Sequence, residues 1–298
     1  MAETEPDFPQ TPMFRAFHAD RYARQQTIKE IQAKTGRKLI VYEANLGAPG
    51  SSIIEPDIQP FYDLLSRVEK GEDLDLLIQS GGGDIDAAEK MVYMCRSVAK
   101  RFRVIVPEYA KSAATLIALA SDQVLMGLAS ELGPIDAQLI GPGPGGAGYQ
   151  TSAQTFIDEF EKILKEVKDT GKLSPAYLPV LDGVTLGFIG MCRNIAARSK
   201  KFAAKWLKKH MLRKQPKKAV SIANNLSNVK KWLSHGVVID ADEASKLGIV
   251  VQKLPKEDAL WQKIWYLHCC YGTLFKSRPI VKIFESESVS LPFEAAAA

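Results

Sequence analysis

The chain has 298 residues, of which 46% are hydrophobic, so it is long enough for one large α/β domain with additional helices. Its formal net charge of +5 is modest and its Lys and Arg residues are spread along the sequence, which does not indicate a dedicated nucleic-acid binder. No apolar run reaches the roughly 18 residues that span a bilayer, the N-terminal residues lack a signal-peptide pattern, and the four cysteines form no Cys-x-x-Cys pair. We therefore expect a soluble cytoplasmic protein with no integral membrane segment, no nucleic-acid partner and no metal site.

Strands and helices alternate along the first half of the chain. Polar stretches with apolar residues at helical spacing separate short β-branched runs, and Gly36 is placed to end the first helix. This alternation predicts a parallel sheet covered by helices. The predicted helices are residues 15–35, 56–69 and 85–99, and the predicted strands are residues 38–42, 73–79 and 102–106.

The second half continues less regularly. It contains a loop of Gly and Pro at 141–148, whose composition suits a mobile segment beside a site. We divide the chain into an N-terminal extension (1–36), a main domain (37–255) and a C-terminal extension (256–298). The predicted helices are residues 155–168, 187–211 and 243–247, and the predicted strands are residues 123–126, 248–254 and 280–284.

Ser112 lies at a strand-to-helix turn. The strand 102–106 is ended by Pro107, and the small apolar run 112–120 predicts a helix that begins at Ser112. Free backbone N–H groups and the helix dipole at that position would stabilise an anion beside the serine, which makes Ser112 a candidate nucleophile. For an isolated serine, the alternative is a side chain that only caps the helix.

Three consecutive glycines, residues 81–83, follow the strand 73–79. Glycine allows positive φ angles and close approach of the backbone to a ligand, so this turn can present bare N–H groups. Several ligands would fit such a turn. The spacing does not match a phosphate-binding loop, and an oxyanion is another ligand that bare N–H groups can bind.

Five motifs follow one another along the chain: SGGGD (80–84), PEYAKSAAT (107–115), DQVLMG (122–127), LGPIDAQL (132–139) and HGVVIDADEASKLGIVV (235–251). In this order they resemble the serine dehydrogenase proteinase family, soluble relatives of the ClpP and SppA peptidases. The resemblance covers residues 39–254. It implies an α/β fold of the ClpP/crotonase type, a spiral of β-β-α or β-α units with helical extensions, which assembles into homo-oligomers and needs no cofactor.

The resemblance also implies roles for individual residues. It gives Ser112 as the nucleophile, and an oxyanion hole made by Gly82 or Gly83 together with Ala113. One departure is Ala114, where relatives commonly carry Gly.

Two kinds of side chain are candidates for the general base, a histidine and a lysine. Ser112, Asp136 and His235 match the Ser, Asp, His order described for the family, and a histidine oriented by a carboxylate can transfer the serine proton. SppA-like relatives use a lysine on a following helix, and Lys162 and Lys165 lie on such a segment, although their acidic neighbours are typical of a solvated face.

The sequence thus predicts a serine endopeptidase that acts on peptides or unfolded protein segments. Two other functions remain open. One is crotonase-type acyl-CoA chemistry, which shares the fold and the paired N–H groups but has no use for Ser112. The other is a non-catalytic assembly protein in which Ser112 only caps a helix.

Overall fold

Runs of aliphatic and β-branched residues form the strands of the protein. The computed structural model describes residues 11–142, 148–182 and 184–295. The predicted loop 141–148 falls mostly on residues 143–147, which lie outside the described residues. The strands are β1 (Lys38–Ala44), β2 (Leu74–Gln79), β3 (Phe102–Val106), β4 (Tyr109–Ala110), β5 (Gln123–Met126), β6 (Glu131–Leu132), β7 (Gln138–Pro142), β8 (Gly148–Ser152), β9 (Val251–Lys253), β10 (Ile280–Glu285) and β11 (Ser290–Glu294).

Seven of these strands form the main sheet, in the order β11-β10-β1-β2-β3-β5-β9. The five strands from β1 to β9 in that order run parallel, whereas β10 and β11 are antiparallel to their neighbours. Two small sheets accompany it, β4 with β6 and β7 with β8. The predicted α/β class with a mostly parallel sheet is therefore confirmed.

Helices cover both faces of the main sheet. Local signals set their ends: α2 ends at Gly36, which has φ +64°, and Asp84 caps α4 by accepting hydrogen bonds from the N–H groups of Asp86 and Ala87. The helices are α1 (Pro12–Phe17), α2 (Ala19–Thr35), α3 (Ile58–Leu65), α4 (Ile85–Val98), α5 (Ala113–Leu119), α6 (Ala153–Thr170), α7 (Leu178–Leu181), α8 (Leu186–Lys209), α9 (Pro216–Leu226), α10 (Val229–Trp232), α11 (Ala241–Leu247) and α12 (Ala259–Ser277), with 3₁₀ turns at Glu55–Asp57 and Pro175–Tyr177.

Each face of the main sheet is covered by a hydrophobic core. Alternate residues of β1 point to opposite faces, so Ile40 and Tyr42 pack with α3, α4, α5, α8 and α9, whereas Leu39 and Val41 pack with α2 and α12. Helix α5 is buried along its whole length. Its first residue, Ala113, is itself buried.

Described residues of the predicted C-terminal extension, 256–295, contribute one helix and two strands, and β10 and β11 belong to the main sheet. Their aromatic stretch forms α12, which the sequence analysis did not assign, and β10 covers the predicted strand 280–284. Helix α9 was also missed; the predicted helix 187–211 ends at Lys209, and α9 begins after a turn, with Pro216 in its first turn.

Within the described residues, none of the helices is by itself long and apolar enough to cross a membrane. Pro175–Leu181 and Leu186–Lys209 reach the necessary length and composition only as a pair that is bent by 71°.

Candidate active site

The loops after β2 and β3 are joined at the carboxyl edge of the parallel sheet. The N–H of Ser80 donates to the carbonyl of Tyr109 at 2.9 Å, and the N–H of Lys111 donates to the carbonyl of Ser80 at 3.0 Å. These bonds extend the pairing of the two strands beyond their ends. Ser112 is thereby placed beside the glycine turn.

Ser112 has a strained backbone, with φ +52° and ψ −115°. Such a conformation costs a non-glycine residue about 1–3 kcal/mol and is concentrated at functional sites. Its side chain makes no capping hydrogen bond to α5 and is half-buried, and its hydroxyl has no hydrogen-bond partner among the described residues. The structure therefore does not use Ser112 as a helix cap.

Gly82 packs directly against this serine. A Cβ at Gly82 would lie 2.6 Å from the Cβ of Ser112 and 2.8 Å from the carbonyl oxygen of Lys111, and Gly82 has φ +102°. Any larger residue would push the serine away. The N–H of Gly82 donates to the Ser80 hydroxyl at 3.0 Å, so it is already satisfied within the protein.

Two other backbone N–H groups at this turn remain unused. Neither Gly83 nor Ala113 donates its N–H to any described residue, and both residues line the same cavity as Ser112. Ala113 is the first residue of α5, where the N–H has no partner within the helix. Of the two predicted glycine donors, Gly83 is the one whose N–H is free.

His235 and Asp136 are in contact, although 99 residues separate them in the sequence. His235 Nδ1 lies 2.7 Å from Asp136 Oδ1, and Asp136 is buried. The Gln138 amide donates to the other carboxylate oxygen of Asp136 at 2.6 Å and lies 3.1 Å from His235 Nδ1. With Asp136 ionised, a proton on Nδ1 leaves Nε2 free to accept one.

Ser112 and His235 both line one cavity of about 520 Å³, which we call the groove. Gly82, Gly83 and Ala113 lie along it as well. The Gln138 and Gln150 side chains add polar groups. An apolar wall is formed by Ile85, Leu116, Ile135, Ile140 and Ile195.

The two predicted alternative bases lie elsewhere. Lys162 and Lys165 are exposed on α6, and neither lines the groove. The Glu159 carboxylate pairs with Lys162 at 2.5 Å and raises the pKa of that lysine, which is opposite to what a general base at neutral pH requires.

Lys111, which directly precedes the serine, is buried. Burial lowers its pKa, despite an ion pair with Glu131 at 3.1 Å. Its Nζ also donates to the carbonyls of Leu132 at 3.1 Å and Val237 at 2.9 Å. Lys111 therefore ties together the segments that carry Ser112, Asp136 and His235.

Sequence reasoning missed Gln138 and the anchoring role of Lys111. Gln138 follows Asp136 by two residues in the same turn, and that spacing was the available signal. Lys111 contacts residues that are distant in the sequence, so no local pattern predicts these contacts.

A second cluster of titratable side chains lies on the other face of the sheet, where His268 of α12 approaches Glu43 of β1. His268 Nδ1 is 3.0 Å from a carboxylate oxygen of the fully buried Glu43, and its Nε2 is 3.4 Å from Glu108. Burial alone would lower the pKa of His268, but the two carboxylates raise it above its usual value. Burial raises the pKa of Glu43. Within the described residues, no group of three His, Cys, Asp or Glu side chains is arranged to hold a metal ion.

The protein is an α/β protein whose mostly parallel sheet carries a groove at its carboxyl edge. The chain belongs to the family of ClpP-like SDH-type serine proteinases, whose family model matches residues 17–284.

The chain is also similar to two uncharacterized proteins of Methanocaldococcus jannaschii. One is 31% identical over 124 residues, which are 39% of this chain and 43% of that protein. The other is 29% identical over 163 residues, 49% of this chain and 56% of that protein, so the matches span about half the length of these relatives. Among solved structures, a ClpP1 mutant from Listeria monocytogenes is 14% identical, with 79% of this chain and 99% of that chain covered and a TM-score of 0.39.

Proposed function

We propose that this protein is a serine endopeptidase in which Ser112 is the nucleophile, His235 the general base and Asp136 the residue that orients the histidine. The observation that carries the proposal is the Asp136–His235 contact at 2.7 Å in a groove that also holds a strained, unpartnered serine. Membership of a serine proteinase family supports the same assignment.

In the proposed reaction, Ser112 Oγ attacks the substrate carbonyl while His235 Nε2 takes the hydroxyl proton. Asp136 stabilises the resulting imidazolium, which then protonates the leaving amine. The oxyanion receives hydrogen bonds from the N–H groups of Gly83 and Ala113, which donate to no other group in the described part of the chain. Water, activated by the same histidine, hydrolyses the acyl-enzyme.

The substrate class proposed is a peptide or an unfolded protein segment. The apolar wall of the groove suits an aliphatic side chain next to the scissile bond, and Gln138 and Gln150 can bond to a peptide backbone.

A homo-oligomer in the cytoplasm is also part of the proposal. The hairpin of α6 and α8 exposes Leu164, Leu186 and Met191, with Leu186 86% accessible, and such residues are commonly covered in an assembly. All four cysteines are unpaired, in keeping with a reducing compartment. Light scattering would test the assembly, and a monomer at micromolar concentration would contradict it.

Labelling with a fluorophosphonate, followed by peptide mapping, tests the catalytic assignment. We expect wild type to be modified at Ser112, and Ser112→Ala and His235→Ala to lose labelling. The controls are Lys165→Ala, at the alternative base, and Ser199→Ala, which removes a second serine of the groove whose hydroxyl donates to the carbonyl of Ile135. Both should label like wild type.

Absence of labelling in the folded wild type would overturn the peptidase proposal in favour of the acyl-CoA or assembly alternatives. Retention of labelling in His235→Ala with loss in Lys165→Ala would instead make a lysine the base.

A further inference from the structure

A buried ion pair joins Lys282 of β10 to Asp57, which lies in the 3₁₀ turn before α3. Lys282 Nζ lies 2.7 Å from Asp57 Oδ1 and 3.0 Å from Oδ2, and each side chain is only 3% accessible. Removing two charges from water is costly, so a buried pair by itself is weak support for stability. The contacts that these two residues make with the neighbouring backbone indicate a different role.

Together they hold both ends of one short segment, residues 52–54. Lys282 donates a further hydrogen bond to the carbonyl of Ser52 at 2.8 Å. Asp57 Oδ2 accepts one from the N–H of Ile54 at 3.1 Å and another from the Tyr42 hydroxyl at 3.2 Å.

The middle residue of this segment, Ile53, is paired with the glycine turn. Its N–H donates to the carbonyl of Gly82 at 2.8 Å, and its carbonyl accepts from the N–H of Asp84 at 2.8 Å. The carbonyl of Gly82 and the N–H of Gly83 belong to the same planar trans peptide unit, so they point in opposite directions. Because Ile53 holds the carbonyl, the N–H of Gly83 is turned away from Ile53.

We infer that Lys282 and Asp57 are positioning residues for the oxyanion hole, acting through residues 52–54 on the direction of the Gly83 N–H. The inference rests on the proposed function and deepens it. It assigns a role to the C-terminal segment, because Lys282 lies in β10 and points to the same face of the sheet as Tyr42.

The test is the double variant Lys282→Met with Asp57→Asn, which removes the ion pair and the bond to Ser52 without leaving a buried charge unpaired. Fluorophosphonate titration counts the reactive serines, and hydrolysis of p-nitrophenyl butyrate then gives kcat per reactive serine and KM. We expect kcat per reactive serine to fall at least about tenfold with KM nearly unchanged, since an oxyanion-hole donor acts in the transition state. Lys282→Arg, which keeps a cation and a donor, should retain most of the activity.

A matched control removes another buried ion pair, between Arg24 of α2 and Glu285 of β10. Arg24 Nε lies 2.8 Å from Glu285 Oε2, on the opposite face of β10 from Lys282. The variant Arg24→Met with Glu285→Gln should leave kcat per reactive serine at the wild-type value, even if it lowers the number of folded molecules.

Two results would overturn this inference and leave the proposed function intact. One is a double variant of Lys282 and Asp57 with fewer reactive serines but a normal kcat for each, which would indicate a purely structural role. The other is an equal fall of kcat in the Arg24 and Glu285 control. A wild type without a reactive serine would instead overturn the proposed function, and the inference with it.

Discussion

Gly83 is a residue at which an added methyl group should affect both the stability of the fold and acylation. It has φ +146°, and a Cβ there would lie 2.3 Å from the carbonyl oxygen and 2.6 Å from the nitrogen of Ile53. Both are backbone atoms, so no side chain can move aside. We predict that Gly83→Ala forces residues 52–54 away from the turn.

The cost follows from the contacts that would be lost. An alanine in this backbone conformation is strained by about 1–3 kcal/mol. The two hydrogen bonds between Ile53 and the turn contribute about 1 kcal/mol each. We therefore expect the free energy of unfolding to fall by about 3–5 kcal/mol. If the N–H of Gly83 also leaves its position, acylation should slow by about 10²–10³ fold, the usual effect of losing one oxyanion donor.

Gly81→Ala is the matched control within the same turn. Gly81 has no positive φ, and the nearest atom to an added Cβ is Cδ2 of Leu46, at an ordinary 3.8 Å. Urea unfolding followed by tryptophan fluorescence gives the stability of each variant, and the fluorophosphonate rate constant, taken on the folded fraction, gives acylation. Wild-type acylation by Gly83→Ala, or an equal loss in Gly81→Ala, would refute the assignment of the Gly83 N–H.

Three further predictions concern charged side chains. Asp136→Asn should slow acylation by about 10³–10⁴ fold with little change in circular dichroism, because the amide favours the wrong tautomer of His235; a rate within tenfold of wild type would contradict the triad. Lys111→Met should lower the free energy of unfolding in urea by about 3–5 kcal/mol, since it leaves the buried partners of Lys111 unsatisfied, whereas Lys111→Arg should lose less; equal losses would argue against a specific clamp. The raised pKa of His268 means that its charged form stabilises the fold below its unfolded pKa of about 6.5, and that this stability is lost as pH rises through the folded pKa. Wild type should therefore lose more stability than His268→Gln on going from about pH 6 to about pH 8 in urea titrations, and parallel losses would show that the bond to Glu43 contributes nothing.

The sequence by itself determined the local elements that build the site. The alternation of apolar runs predicted the strands that became β1, β2, β3 and β5, because hydrophobic periodicity is a property of neighbouring residues. The Gly81–Gly83 run and the small apolar residues after Ser112 likewise predicted a tight turn and a helix start. Asp136 and His235 were candidates only through their order along the chain.

Only the tertiary structure decided which of these residues meet. The contact of His235 with Asp136 depends on how β6 and the segment before α11 come together, where Leu132 and Ile239 exchange backbone hydrogen bonds. The N–H of Gly82 is bonded to the Ser80 hydroxyl, so the N–H of Gly83 is the donor left at this turn. Its direction is set by Ile53, which bonds the carbonyl of the Gly82–Gly83 peptide. Lys282 of β10 is connected to the glycine turn through residues 52–54. Each of these is a pairing between distant segments, and such pairings are set by strand order and peptide orientation, which a local residue pattern does not encode.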